Sequence, residues 1–163
     1  QHENEPPLVD GYVDNWNGGC NSPPDYPFQW LSQWFCGRSG YYLSASGGSS
    51  RDTDWFLVPI PSGGVLEILG DAEEASYMFE LGPQDCGSVE VIQSVPIGPC
   101  DGGDLWITGP VGSTVWFWVG PQRFWEGATY EYDYILMCPM PGRRAPAVEV
   151  ENRSWTDVKG LFR

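Results

Sequence analysis

Every apolar run in this chain is cut short. Segments of about five to ten residues, rich in β-branched and aromatic side chains, end in Gly, Pro, Asn or Asp clusters, and the next one starts soon after. The 21 Gly and 15 Pro that interrupt them leave no room for long helices. Tyr41 to Ala45, Trp55 to Ile60, Val65 to Leu69, Ser76 to Leu81, Ser88 to Ser94, Asp104 to Thr108, Thr114 to Val119 and Thr129 to Cys138 read as strands. Thr114 to Val119 is the most apolar and suits the centre of a sheet. Thr129 to Cys138 alternates, with Tyr130, Tyr132, Tyr134 and Leu136 on one face. The pattern predicts an all-β, jelly-roll-like antiparallel sandwich of about eight or nine strands, with extended N- and C-terminal arms.

The chain divides by composition into three parts. Residues 1–19 form an acidic arm, in which Leu8, Val9, Tyr12, Val13 and Trp16 are apolar enough to dock. Residues 20–138 carry the sandwich. Within them, the aromatic stretch Phe28, Trp30, Leu31, Trp34 and Phe35 is expected to cover one end, and Ser46 to Ser50 to form a flexible loop. Residues 139–163 begin with a Pro-rich linker and end in a tail where Ser154 is placed to cap a short helix. Trp155, Val158 and Phe162 would share the apolar face of that helix. Fully extended, the tail reaches on the order of 80 Å, far enough to contact a neighbour.

Charge removes several function classes. Eight basic residues against 22 acidic ones give a net charge of −14. Nucleic acid and anionic membrane surfaces both require a basic footprint, which is missing. No apolar run approaches the roughly 20 residues that span a bilayer. A first residue that is Gln and not Met is read as the product of signal-peptide cleavage, and five cysteines favour the same oxidising exterior. A single histidine, His2, and the lack of any Cys-x-x-Cys pair argue against zinc. With His2 alone in a terminal arm, no Ser-His or Cys-His pair is available, and no nucleotide or hydrolase motif occurs, so catalysis is not expected.

The most informative stretch is Arg51-Asp52-Thr53-Asp54-Trp55-Phe56, a charged corner running straight into an apolar strand. Asp52 and Asp54 lie two apart, so an extended backbone turns both carboxylates to one side. Such a pair repels unless a cation, an arginine or a proton sits between them. Calcium is one answer, because it accepts about six to eight oxygens in flexible geometry. The other is ordinary: Asp52 caps a turn, and Asp54 pairs with Arg51 or Arg38.

The Asp52-Thr53-Asp54-Trp55-Phe56 corner, the Pro61-Ser62-Gly63-Gly64 turn and the closing Tyr132-x-Tyr134-x-Leu136 strand resemble the bacterial pre-peptidase C-terminal domain. The collagen-binding domains of bacterial collagenases are relatives of that domain. The resemblance spans roughly Glu3 to Cys138. It implies a β-sandwich without catalysis of its own and a calcium site between an acidic N-terminal arm and the Asp-x-Asp corner. On this chain the implied ligands are Glu3, Glu5, Asp52 and Asp54, with Asp14, Asn15 and Asn17 as further oxygen donors. The family's Glu-x-Glu-x-Asn arm reads Glu3-Asn4-Glu5-Pro6-Pro7 here, so its Asn is missing. The C-terminal Ser154-to-Arg163 stretch resembles tails found at the ends of secreted bacterial proteins.

Among the cysteines, Cys86 and Cys100 flank a strand and a loop and are expected to close one disulfide. Cys20 and Cys36 are expected to close another, leaving Cys138 odd, although spacing leaves other pairings open. Trp106, Trp116 and Trp118 lie in strands and are expected to fill the core. Phe124 and Trp125, in a loop, are the contact candidates. Two functions fit these features. One is a secreted, calcium-stabilised structural subunit of an extracellular or cell-surface assembly, knit into a filament by its terminal arms. The other is an extracellular binding module for polysaccharide or collagen-like peptide, which would show an exposed aromatic platform.

Overall fold

The computed structural model describes residues 1–124 and 127–139. Ten strands are present among them: β1 (Gln29–Trp30), β2 (Trp34–Leu43), β3 (Ser49–Arg51), β4 (Asp54–Pro59), β5 (Val65–Ala72), β6 (Ser76–Gly82), β7 (Glu90–Ile97), β8 (Gly103–Thr108), β9 (Thr114–Pro121) and β10 (Tyr130–Met137). A 3-10 turn spans Gly19–Asn21, and the described residues contain no α-helix. Two five-stranded sheets result, one ordered β1-β4-β9-β6-β7 and the other β3-β2-β10-β5-β8. Neighbours pair antiparallel except β1 and β4, which run parallel. The expected β-sandwich is therefore what the chain forms.

Its core lies between the two sheets. Phe35, Phe56, Ile68, Leu105, Ile107, Phe117, Tyr134 and Leu136 are fully enclosed there. Burying side chains of this size stabilises by about 1.5–3 kcal/mol each relative to exposure. Phe35 meets Phe56 edge to face at 4.9 Å. The strand β9 sits at the centre of its sheet, as its composition predicts. It is apolar on both sides because a second cluster covers the sheet's outer face. There Trp55, Trp118 and Leu81 are buried against Phe28, Trp116 and Cys20.

Several expectations are corrected. The stretch around Trp34 and Phe35 does not cap an end; it is the first half of β2, a ten-residue strand. Gly37 lets it pack, since a Cβ there would stand 2.4 Å from the Tyr134 ring. Ser49 and Ser50, expected in the Ser46-to-Ser50 loop, belong with Arg51 to β3, which pairs with Tyr41–Leu43. The disulfide joins Cys20 to Cys86, not Cys20 to Cys36 or Cys86 to Cys100. It staples the segment covering the outer face to the β6–β7 loop, a link between distant parts that spacing does not reveal. Cys36, Cys100 and Cys138 are free thiols, and Cys138 packs against the core. Trp106 is 52% exposed, because β8 is an edge strand whose outer face meets solvent, while Trp118 is buried.

Candidate metal centre

The N-terminal arm does not hang free. Residues Gln1 to Glu3 lie parallel to β2, with the Cys36 amide donating to the Gln1 carbonyl at 2.9 Å and the Glu3 amide to the Cys36 carbonyl at 2.9 Å. They occupy the length of β2 that β3 leaves bare, since β3 reaches only Tyr41–Leu43. An extended backbone turns Glu3 and Glu5 to the same side. Beyond Pro6-Pro7, the Leu8 amide donates to Glu131 Oε1 at 2.7 Å, and Leu8 is buried. Asp14 Oδ1 then accepts from the Trp16 and Asn17 amides at 2.9 and 3.2 Å, closing a turn. Gly18 follows because a Cβ there would stand 2.3 Å from Asp14 Oδ2.

From the other side comes the corner between β3 and β4. The Asp52 amide donates to the Gly40 carbonyl at 2.9 Å, and Ser39 Oγ donates to the Asp52 carbonyl at 2.9 Å. The Trp55 amide donates to the Asn17 carbonyl at 2.8 Å. These bonds consume the backbone groups of the corner and leave the two aspartate side chains aimed at the arm.

Five carboxylates converge as a result. Oxygens of Glu3, Glu5 and Asp54 lie within 4.8 Å of one another, and so do oxygens of Glu5, Asp14 and Asp52. Glu5 belongs to both groups. Asp54 is fully buried, Asp52, Glu5 and Asp14 nearly so, and Asn17 fully. The donors nearby do not satisfy them. Glu3 accepts from Asn17 Nδ2 at 2.7 Å and from the Arg38 amide at 2.6 Å, and the Tyr12 hydroxyl donates to Glu5 Oε1. Both oxygens of Asp54, one of Asp52, Oε2 of Glu5 and the amide oxygen of Asn17 are buried with no hydrogen-bond partner.

The cations expected as the ordinary alternative are occupied elsewhere. Arg38 donates to the Glu5 carbonyl at 2.7 Å and faces Glu131 at 3.4 Å. Arg51 donates to the Pro121 carbonyl at 2.8 Å and lies 4.3 Å over the Phe124 ring. Neither bonds Asp54. Burial, then the charge of Glu3, pushes Glu5 up to about 8. Burial, then the neighbouring carboxylates, raises Asp52 and Asp54 well above the ordinary range. Burial alone drives the rise at Glu3 and Asp14. The Tyr134 phenol is raised by burial and next by the charge of Asp54.

Of the residues expected here, Glu3, Glu5, Asp14, Asn17, Asp52 and Asp54 come together. Asn15 does not; it is exposed, and its amide turns back to the Val13 carbonyl at 3.3 Å. Sequence reading missed Glu131, took Tyr12 only as a docking residue of the arm and placed Tyr134 only on one face of the closing strand. Glu131 and Tyr134 arrive on β10, far from the corner in sequence, and nothing local marks the Tyr12 hydroxyl as a partner of Glu5. Phe124 is exposed. Trp125, Trp155, Val158 and Phe162 lie outside the described residues. Comparison with protein-family models, with curated proteins and with solved structures finds no match in any of the three.

A donor set made only of carboxylate and amide oxygens suits a hard cation and offers nothing soft for zinc or copper. Left to themselves, the carboxylates must take up protons or repel.

Proposed function

We propose that this chain is a non-catalytic β-sandwich whose N-terminal arm is clamped to it by calcium, serving as a structural module of a secreted or cell-surface assembly. The observation that carries the reading is Asp54: fully enclosed, with both oxygens lacking a hydrogen bond, beside Glu3 and Glu5. An enclosed carboxylate in that state calls for a positive charge, and the arginines nearby serve other partners. The two oxygen groups sharing Glu5 accommodate one or two ions. The resemblance to the pre-peptidase C-terminal domain points the same way, and the Cys20–Cys86 disulfide suits an oxidising, calcium-rich exterior.

Assembly has support in the outer face of the second sheet. Trp34, Met137 and Leu69 stand in register across β2, β10 and β5, opposite the buried face, and Trp34 is 45% exposed. With the N-terminal arm occupied on its own sandwich, contact between copies falls to exposed apolar faces of this kind. A second reading, an extracellular binding module, is favoured by an aromatic cleft described next.

Calorimetric titration of the chelator-treated protein with calcium chloride tests the clamp. Saturable binding with a dissociation constant on the order of 0.1–1 mM or tighter is expected, with magnesium much weaker because it keeps its water. No calcium heat, together with no change in melting temperature, overturns it. Light scattering in calcium and in chelator reads assembly in the same samples, and a monomer in both sinks the structural-subunit role.

A further inference from the structure

A cleft of about 500 Å³ opens at one end of the sandwich, away from the carboxylates. It lies between the β5–β6 turn, with Glu74 and Ala75, and Gly127, Ala128 and Thr129 just ahead of β10. One wall is aromatic. Tyr41 of β2 and Tyr130 of β10 are directly opposite in register, so their rings share a face. That face is the core side of the sheet continued past the opposite sheet: Tyr132, the next inward residue, is buried and meets Ser76 Oγ at 2.8 Å. Tyr130 lies beyond that cover and is 47% exposed.

The walls are held in place. Gln122 bonds the Ala75 carbonyl through its amide and the Ser76 carbonyl through its side chain, each at 3.0 Å. Thr129 donates to Asp10 of the N-terminal arm. Glu74 and Arg123 bring opposite charges to the lining. After burial, Glu74 raises the Tyr41 phenol while Arg123 and Arg51 lower it, so all three charges act at one point.

We propose that this cleft binds one ring of a neutral polysaccharide. The C–H face of a pyranose packs on the tyrosine wall, as apolar faces do on aromatic rings. Its hydroxyls donate to the Glu74 carboxylate and accept from the Arg123 guanidinium. The paired charges favour neither an anionic nor a cationic ligand, and a net charge of −14 disfavours acidic sugars. The volume falls within the roughly 300–1,000 Å³ of small-ligand sites. The inference rests on the binding-module reading and not on the cation clamp.

Calorimetry with cellohexaose and with mannohexaose, on the full chain in calcium, tests it. A dissociation constant on the order of 1 mM is expected for one stacked ring. Tyr130→Ala should weaken binding about tenfold, Tyr130→Phe should keep it, and Arg123→Gln should weaken it severalfold. An unchanged melting temperature shows that each variant folds. No saturable heat from either sugar up to roughly 10 mM overturns the proposal, as does binding that Tyr130→Ala leaves intact. Tyr130-dependent binding of a collagen-like peptide in place of either sugar overturns the ligand assignment. A calcium response that survives the loss of sugar binding separates failure here from failure of the clamp.

Discussion

Asp54→Asn is the sharpest perturbation of the clamp, because it changes one charge and almost no volume. In calcium, the wild type gains stability by mass action, about 2.7 kcal/mol when free calcium stands a hundredfold above the dissociation constant. For a domain of this size, each kcal/mol moves the melting temperature by about 2–4 °C, so the calcium shift should be on the order of 5–10 °C. The variant removes the carboxylate that sits deepest, with Glu3 and Glu5 around it. Its calcium shift should shrink to about 2 °C or less. In chelator the sign reverses. Wild-type Asp54 must be held against burial and the charges of Glu3 and Asp52, whereas the substituted amide carries no charge, so the variant should melt at or above the wild type. Differential scanning calorimetry at about pH 7.5, with free calcium roughly a hundredfold above the dissociation constant and again in excess chelator, reads both arms. A variant that melts well below the wild type in chelator, with its calcium shift intact, would refute the assignment of Asp54 as a ligand.

The same carboxylates set a pH dependence in chelator. Glu5 is raised from its ordinary 4.5 to about 8, so the folded state binds more protons than the unfolded one between those values. Its contribution to stability is fully present below pH 4.5 and is lost as pH rises towards 8; melting curves in chelator should fall across that window, and calcium should flatten the fall by releasing protons. Separately, the Cys20–Cys86 bridge closes a span of 66 residues, and Cys20→Ser with Cys86→Ser should cost about 4 kcal/mol of stability, read by denaturant unfolding. Peptide mapping without reduction should recover the linked pair and show Cys100, which is exposed, fully alkylated.

Strand identity was legible wherever an apolar or alternating run ended in turn residues, as in β4, β6, β9 and β10. It failed where glycine or serine disguised a strand. Gly37 and Gly40 break the apolar rhythm of β2, and both are demanded from outside the segment: one by the Tyr134 ring, the other by the Tyr130 carbonyl, 2.1 Å from where a Cβ would stand. β3 is three polar residues that become a strand only by pairing with Tyr41–Leu43. The acidic corner was legible because Asp52 and Asp54 are two apart in an extended segment. Glu3 and Glu5 entered only through the family resemblance. Glu131 and Tyr12 stayed hidden, since neither lies near Asp52 in sequence and fold geometry alone unites them. The disulfide failed for the same reason, as its partners belong to a covering segment and a loop on a different edge.

The docking of Gln1 to Glu3 along β2 has a consequence for how the molecule behaves in a crowd. Exposed strand edges present unpaired amides and carbonyls that recruit other chains. Here the first residues of the arm fill that edge, while the Glu3 carboxylate takes the Arg38 amide that would otherwise point outwards. The Glu3 side chain also belongs to the carboxylate cluster. Whatever neutralises the cluster therefore also keeps the edge shut. A solution condition that frees the arm uncovers Cys36 and Arg38 as a ready template for a foreign strand, next to an exposed Trp34. Guarding against indiscriminate self-association is thereby tied to the charge state of the cluster.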